Sequence, residues 1–391
     1  RFDLSKGFTQ TNSGTNVDLW GKYDASRIKL WKRIYNKIRS YDASAYVILE
    51  HFADNSEEKE LADAGMMLWA NAKFDMTKII QAYPATYDWI SYKTRGYKQP
   101  QLINYIESHD EERLMVEIAS SDSKKTFSES EKLDRMKMAA ALFFVIPGPK
   151  MIWQFGELGY NISINSNGRT GTKPSFWNYL QDKDRLKLLG VYQQLAALKS
   201  KKSIFQSADF KLDVSTLVKQ INLTQGNTRL LLIANTGIET NTFYLSFPTS
   251  GKWYDYFTGK SFDVNQNILP INLLSGEFHL FVNEEWNTKN LNLVPWDVPN
   301  FQVLGTEKES VSALTIYPNP SQKLIHIIWQ AENKNEVGIK ILDILGQVIF
   351  EKSIAQVPNA MNEYNFSEIQ NLRAGIYFIQ VGDNIRKLLV E

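Results

Sequence analysis

Arg1-Phe2-Asp3-Leu4-Ser5-Lys6 opens the chain with a lone acid between two cations, directly behind an apolar residue. Two further isolated acids repeat that placement. Glu50 ends the apolar run Ala45-Tyr46-Val47-Ile48-Leu49, and Asp110 comes shortly after Leu102-Ile103-Asn104-Tyr105-Ile106. The gaps, 47 and 60 residues, match one and two strand–helix units. Acids spread this way belong to a parallel barrel, whose reactive groups sit at the C-terminal ends of different strands.

The intervening sequence fits that frame. Short apolar runs at 45–50, 65–70, 102–106 and 150–155 read as strands. Between them lie helical faces: Ile28, Trp31, Ile34, Tyr35 and Ile38; Met136, Ala140, Phe143 and Phe144; Leu188, Val191, Tyr192, Leu195 and Leu198. Alternating strands and helices imply a parallel sheet. Pro147-Gly148-Pro149 separates a helix from the next strand.

After about residue 203 the helical period disappears. Leu230 to Ala234, Phe243 to Phe247, Trp253 to Tyr256 and Phe278 to Val282 read as antiparallel strands, with a turn at Thr258-Gly259-Lys260. Residues 285–313 are polar and read as a linker. From 314 a second all-β unit begins, in which Val337, Ile339 and Ile341 alternate with their neighbours as in a half-buried strand. Leu345-Gly346-Gln347 reads as a turn and Ala374 to Ile379 as a strand start. The expected domains are therefore 1–203, 204–284, a linker 285–313, and 314–391.

Composition narrows the chemistry. The chain has 391 residues, 43% hydrophobic and 22% charged, so it can build two or three ordinary cores. A net charge of +1 without a basic stripe argues against nucleic acid, and the run Lys199 to Lys202 reads as a solvated helix end. Without cysteine there is no disulfide framework, cysteine–zinc site or thiol nucleophile. No apolar run reaches the roughly 18 residues of a membrane-spanning helix. Aromatics are plentiful, which suits both sugar-stacking clefts and β cores. Trp69, Trp89, Trp153 and Trp177 are candidate sugar platforms, with core packing the better reading for most. Glu107, Glu111 and Glu112 read as a solvated loop around Asp110, and Glu157 as part of a turn at a strand end.

Four of these segments together resemble the motifs of the α-amylase superfamily, glycoside hydrolase family 13. Arg1-Phe2-Asp3-Leu4-Ser5-Lys6 resembles the fourth-strand motif, and Tyr46-Val47-Ile48-Leu49-Glu50-His51 the fifth. The stretch from Asn104 through Ser108-His109-Asp110 to Arg113 resembles the seventh, and Gly148 to Gly159 the eighth. The resemblance implies α/β plus all-β architecture: the second half of a (β/α)8 TIM barrel, an antiparallel β-sandwich domain, and a C-terminal Ig-like β-sandwich. It implies that Asp3 is the nucleophile, Glu50 the general acid and base, and Asp110 the transition-state stabiliser. Arg1, Lys6, His109 and Arg113 would bind substrate around them. The implied substrate is an α-1,4-glucan such as starch, cleaved with retention through a covalent glycosyl intermediate. Gly7 and His51-Phe52-Ala53-Asp54 depart from the common pattern, and Ser108-His109-Asp110-Glu111 is as similar to branching enzymes as to amylases. A transglycosylase and a non-catalytic glucan-binding surface protein therefore stay open as alternatives.

Members of that family carry four strand–helix units before the fourth-strand motif. The match covers about half a barrel and the β domain after it, residues 1 to about 284. On this comparison the sequence begins inside its catalytic domain, and the piece alone is expected to lack turnover and to expose a sheet edge. Many members bind calcium through the preceding region, so calcium is an expectation for a full-length parent; no cofactor is evident in these residues and no metal is assigned to them. The tail differs. Ile316-Tyr317-Pro318-Asn319-Pro320, Asp343-Ile344-Leu345-Gly346 and Ala374-Gly375-Ile376-Tyr377-Phe378 are similar to the C-terminal sorting domain of type IX secretion cargo. That implies passage across the outer membrane of a Gram-negative bacterium, with release or attachment at the surface and the type IX machinery as partner.

Overall fold

A computed structural model describes residues 1–265, 268–286, 314–321, 324–331, 335–343, 348–367, 372–382 and 384–390. The chain divides into two compact units, residues 1–306 and 307–391. Most of the expected linker, and the turn Leu345-Gly346-Gln347, lie outside the described residues.

The first unit begins with helices α1 (Val17–Gly21) and α2 (Ala25–Tyr41). Strand β1 (Ile48–Leu49), α3 (Asn55–Asp63), β2 (Met67–Asn71), α4 (Lys73–Ile80) and β3 (Leu102–Tyr105) follow. Helices α5 (Leu114–Ile118), α6 (Glu129–Val145) and α7 (Lys183–Lys201) complete the helical part. Strands β1, β2 and β3 pair in parallel in that order. The sheet extends on both sides by single parallel bridges, Phe2 to Leu49 and Asn104 to Lys150. Five ribbons thus run side by side in chain order, with Asp3 and Glu50 leaving neighbouring ribbons at the same level.

Both faces of this sheet are apolar, as parallel strands require. Leu68, Ala70 and Leu102 pack into the main core with the helices. Met67, Trp69, Ile103 and Tyr105 gather on the opposite face with Ile48 and Met151. Capping fixes the helix starts: Asp24 accepts from Ser26 and Arg27 amides, and Ser128 with Glu131 forms a capping box. The single apolar face of Met136, Ala140, Phe143 and Phe144 suggests an ordinary amphipathic helix. Instead every residue of α6 from Arg135 to Val145 is buried, because the helix has packed neighbours on several sides.

The expected strand at 150–155 is a correction. Asn104 donates to the Pro149 carbonyl and accepts from the Met151 amide, and the pairing ends there. Phe155, at φ 63°, then turns the chain away into a short 3-10 turn, Gly156–Leu158. Lys199 is a second correction. Its ammonium reaches the carbonyls of Phe144 and Ile146 at 3.2 and 3.1 Å rather than open solvent, and burial draws its pKa down to about 7.

Strands β4 (Asp209–Asp213), β5 (Val218–Gln225), β6 (Thr228–Asn235), β7 (Asn241–Ser246), β8 (Gly251–Asp255), β9 (Ser261–Val264), β10 (Ile268–Leu273) and β11 (Phe278–Val282) follow. They form a six-stranded sheet in the order β4-β5-β6-β11-β8-β9, and a β10–β7 pair. The solid run in β6 is explained by its two covered faces. Leu230, Leu232 and Ala234 join the main core, whereas Leu231 and Ile233 pack with Phe247, Trp253 and Ile271. Arg135 ties this sheet to the helices, donating to the carbonyls of Ile80 at 2.5 Å and Gly237 at 3.2 Å.

The second unit holds β12 (Leu314–Tyr317), β13 (Ile325–Gln330), β14 (Glu336–Leu342), β15 (Val348–Ala355), β16 (Met361–Phe366), β17 (Gly375–Val381) and β18 (Asn384–Val390). Two antiparallel sheets, β12-β13-β16 and β15-β14-β17-β18, share one core. Ile325, Ile327 and Trp329 meet Ile339, Ile341, Ile379 and Val381 there, the alternation expected of half-buried strands.

Candidate active site

The Phe2 amide donates to the Ile48 carbonyl, and the Glu50 amide donates to the Phe2 carbonyl. Neighbouring strands lie about 4.8 Å apart, so this register brings the next pair of side chains, Asp3 and Glu50, together. Arg1 joins them: one guanidinium nitrogen lies 2.8 Å from Asp3 Oδ1 and 2.5 Å from Glu50 Oε2. The guanidinium also lies over the Trp69 ring, 3.8 Å from its centre, which fixes its plane. Asp3 is 72% exposed and Glu50 only 14%.

That difference in exposure separates the two acids electrically. A hydrogen bond from Glu50 holds the Asp3 carboxyl below its ordinary range; burial opposes this, and Arg1 and His109 reinforce it. Glu50 moves the other way, pushed up by burial and by its bond to Asp3, against the pull of the Leu4 amide and Arg1. One acid shifted down beside a neighbour shifted up is the division that a nucleophile and a general acid require.

His109 and Asp110 face the same space from the loop after β3. His109 Nε2 lies 3.2 Å from Asp110 Oδ2, and the His109 ring stands between Trp69 and Trp153, with centroids at 6.2 and 5.9 Å. Tyr105 lies buried below, its hydroxyl pushed up by burial and by the fields of Glu111, Glu50 and Asp110. Arg169 reaches in from the loop after the fifth ribbon and donates to the Asp110 carbonyl at 2.5 Å. A cavity of about 160 Å³ opens beside His109, bordered by Trp153, Tyr160, Ile162 and Arg169.

Arg1, Asp3, Glu50, His109 and Asp110 therefore converge. Lys6 is engaged elsewhere, and Arg113 borders the cavity beside His109. Lys6 reaches the Phe52 carbonyl at 3.4 Å and lies over Trp20. Arg113 is buried, held by Glu107 at 3.2 Å and donating to the Gln154 carbonyl at 3.0 Å. The acids around Asp110 do not form a solvated loop. Glu107 is buried and accepts from the Leu114 amide, Glu111 accepts from Asn71 at 2.5 Å, and Glu112 accepts from Ser163 and the Ile164 amide. Each ties one loop to another. Core packing describes Trp69 but not Trp89 or Trp177, which are 53% and 65% exposed. Arg169 carried no signal in the sequence, since it lies 59 residues from Asp110 in a polar stretch. Among the described residues, no group of three His, Asp or Glu side chains is arranged to hold a metal ion.

Solved structures of similar fold include an α-amylase and a cyclomaltodextrin glucanotransferase. AmyP, in complex with maltose, is 14% identical with a TM-score of 0.53, covering 66% of this chain and 62% of that one. The α-amylase from Geobacillus thermoleovorans, complexed with acarbose, is 13% identical with a TM-score of 0.53, covering 68% and 60%. CldA, a cyclomaltodextrin glucanotransferase, is 16% identical with a TM-score of 0.51, covering 68% and 56%. The chain thus spans about three fifths of the length of the proteins it matches. The likeness establishes an α-amylase-like fold, mixed α/β with several antiparallel sheets, as the motifs implied. No curated protein matches the chain. Residues 315–390 match the secretion system C-terminal sorting domain. That domain indicates type IX secretion, and so an extracellular or cell-surface protein. Among the described residues no helix is long and apolar enough to cross a membrane.

Proposed function

We propose that residues 1–203 supply the second half of a (β/α)8 barrel, and that the protein is a retaining glycoside hydrolase of α-amylase type acting on α-1,4-glucans. The observation that carries this is the Arg1-bridged pair, an exposed aspartate below its ordinary pKa against a shielded glutamate above its own. Sharing one guanidinium nitrogen at 2.8 and 2.5 Å holds an oxygen of each acid closer together than the gap of about 6.5–9.5 Å that an inverting enzyme needs for its water.

In this reading Asp3 attacks the anomeric carbon as Glu50 gives its proton to the leaving glycosidic oxygen. A glycosyl ester on Asp3 results. Glu50, now ionised, takes a proton from the incoming acceptor, whose oxygen bonds to the anomeric carbon and frees Asp3. Arg1 keeps Asp3 charged, and Asp110 with His109 accepts and donates hydrogen bonds to sugar hydroxyls. Trp153 lines the space where a sugar ring would lie.

The acceptor separates hydrolase from transferase, and the glucanotransferase fold of CldA supports keeping the second. The sorting domain supports an enzyme carried by the type IX machinery across the outer membrane of a Gram-negative bacterium, to act on polysaccharide too large to import. The test is incubation with soluble starch of the protein expressed from its natural gene. New reducing ends are expected. Altered iodine staining without them would indicate a transferase. Binding without either would overturn the catalytic reading and leave a glucan-binding surface protein.

A further inference from the structure

A chain of buried polar groups runs beneath the Asp3–Glu50 pair, and the reaction scheme uses none of it. Arg27 grips Glu57 with two parallel bonds, Nε to Oε1 at 2.6 Å and Nη2 to Oε2 at 2.8 Å. Glu57 Oε1 lies 2.7 Å from His51 Nε2, and because an ionised carboxylate only accepts, that nitrogen carries a proton. The other ring nitrogen lies 2.7 Å from Ser5 Oγ. Ser5 Oγ in turn lies 2.8 Å from the Glu50 carbonyl oxygen, which also accepts from the Ser5 amide at 2.8 Å. Ser5, Arg27, His51 and Glu57 are all at most 1% exposed. Burial opposes the charge on Glu57, but the bonds from Arg27 and His51 outweigh it and hold the carboxyl below its ordinary range.

Burying such groups carries a large desolvation cost, and bulk stability is a weak reason to retain them. What the chain of bonds touches is more telling. One end is the main chain of Glu50. At the other, Arg27 Nη1 holds the Lys6 carbonyl at 3.0 Å, and Trp31 holds the Ser5 carbonyl at 2.9 Å. The segment just past each acid is strained: Leu4 has φ 44° and Phe52 φ 50°, left-handed conformations that a bulky residue adopts only when its surroundings over-determine it.

We propose that His51 and Glu57 are positioning residues, holding Ser5 against the Glu50 carbonyl and so fixing the placement of Asp3 relative to Glu50. The proposal rests on reading those two acids as the reacting pair. The ring of His51 couples the strained turn after Asp3 to the one after Glu50, so that neither moves alone.

The test uses the protein expressed from its natural gene, with His51→Ala, His51→Gln and Glu57→Gln. Amide hydrogen exchange is read by mass spectrometry, and turnover on soluble starch in parallel. His51→Ala should speed exchange at residues 2–7 and 48–53 by about tenfold or more while α6 stays protected. It should lower kcat about a hundredfold, the cost of misplacement on the ångström scale, with KM changed far less. His51→Gln, which keeps a donor and an acceptor, should recover part of both, and Glu57→Gln should fall between. Unchanged local exchange overturns the proposal. So does faster exchange spread evenly through α6 and α7 with kcat per folded molecule intact, the mark of a plain structural brace. If the wild-type protein cleaves no α-glucan, the functional reading falls by itself, and the exchange pattern still decides whether His51 and Glu57 hold the two turns.

Discussion

Two clusters in the first unit place carboxylates against a cation, and they are built in opposite senses. At the sheet end, Arg1 serves two acids from one side, and Asp3 projects into solvent. In the β domain, His279 is sandwiched: Nδ1 lies 2.9 Å from Asp255 Oδ2 and Nε2 3.0 Å from Glu277 Oε1, with all three side chains buried. The first arrangement leaves one carboxyl group uncovered and shifts its shielded neighbour's pKa upward. The second closes every polar group on a partner inside the protein. The two clusters, similar in make-up, differ in whether one of the acids is left facing outward, which the proposed chemistry requires of Asp3.

Exchanging an acid for its amide in each cluster should separate these roles sharply. Asp3→Asn is expected to lower kcat by at least about a thousandfold, since it removes the proposed nucleophile. The unfolding midpoint should stay near wild type, because the side chain is exposed. Asp255→Asn should do the reverse. It leaves His279 with one carboxylate in a buried site, at a cost of about 3–5 kcal/mol in urea unfolding, while turnover per folded molecule is unchanged. Retained activity in Asp3→Asn would break the contrast at its reactive end; unaltered stability in Asp255→Asn would break it at the other.

The reactive cluster was more legible in sequence than its supports. Asp3 and Glu50 stand alone at the ends of apolar runs, and a parallel sheet allows few places for such acids. The ribbons themselves were legible for the same reason, except at 150–155, where the pairing ends at Met151 and Phe155 turns the chain away. What stayed hidden are partners joined only by the fold. Glu57 and Arg27 are 30 residues apart on two helices, and each alone resembles an ordinary surface charge. Glu107, Glu111 and Glu112 look like a hydrated acidic loop until the loops that they bind are in place. Burial of a charge depends on what packs over it, and local pattern does not carry that.

His279 gives the comparison a pH axis. Its two carboxylates outweigh burial and raise its pKa to about 9, against 6.5 as the ordinary value. A folded value above the unfolded one means that the folded state holds the proton longer. The stabilisation is therefore complete below about pH 6.5 and is lost as pH rises through 9. Linkage puts the loss between pH 7 and 9 at about 2 kcal/mol, read from urea unfolding at each pH. His279→Gln should flatten that part of the profile. A wild-type stability that is level across the interval would mean that the imidazole is not held as a cation.

Arg1 sharpens the same point with a smaller effect. Its guanidinium favours the charged form of Asp3, which must be ionised to attack, and it leans on the Trp69 ring without touching the buried supports. In Arg1→Gln the amide replaces the cation, so Asp3 ionises at higher pH. The acid limb of kcat/KM should move upward by about one unit, within the range of a single nearby opposite charge. Glu50 loses the same cation, which also makes its proton harder to remove, so the alkaline limb should move upward too. Both limbs shifting upward together would mark Arg1 as an electrostatic partner of both acids. A fall in rate with neither limb displaced would instead make it a steric prop, and the open cluster would then owe its division of protons to burial and to the contact between the two carboxyl groups alone.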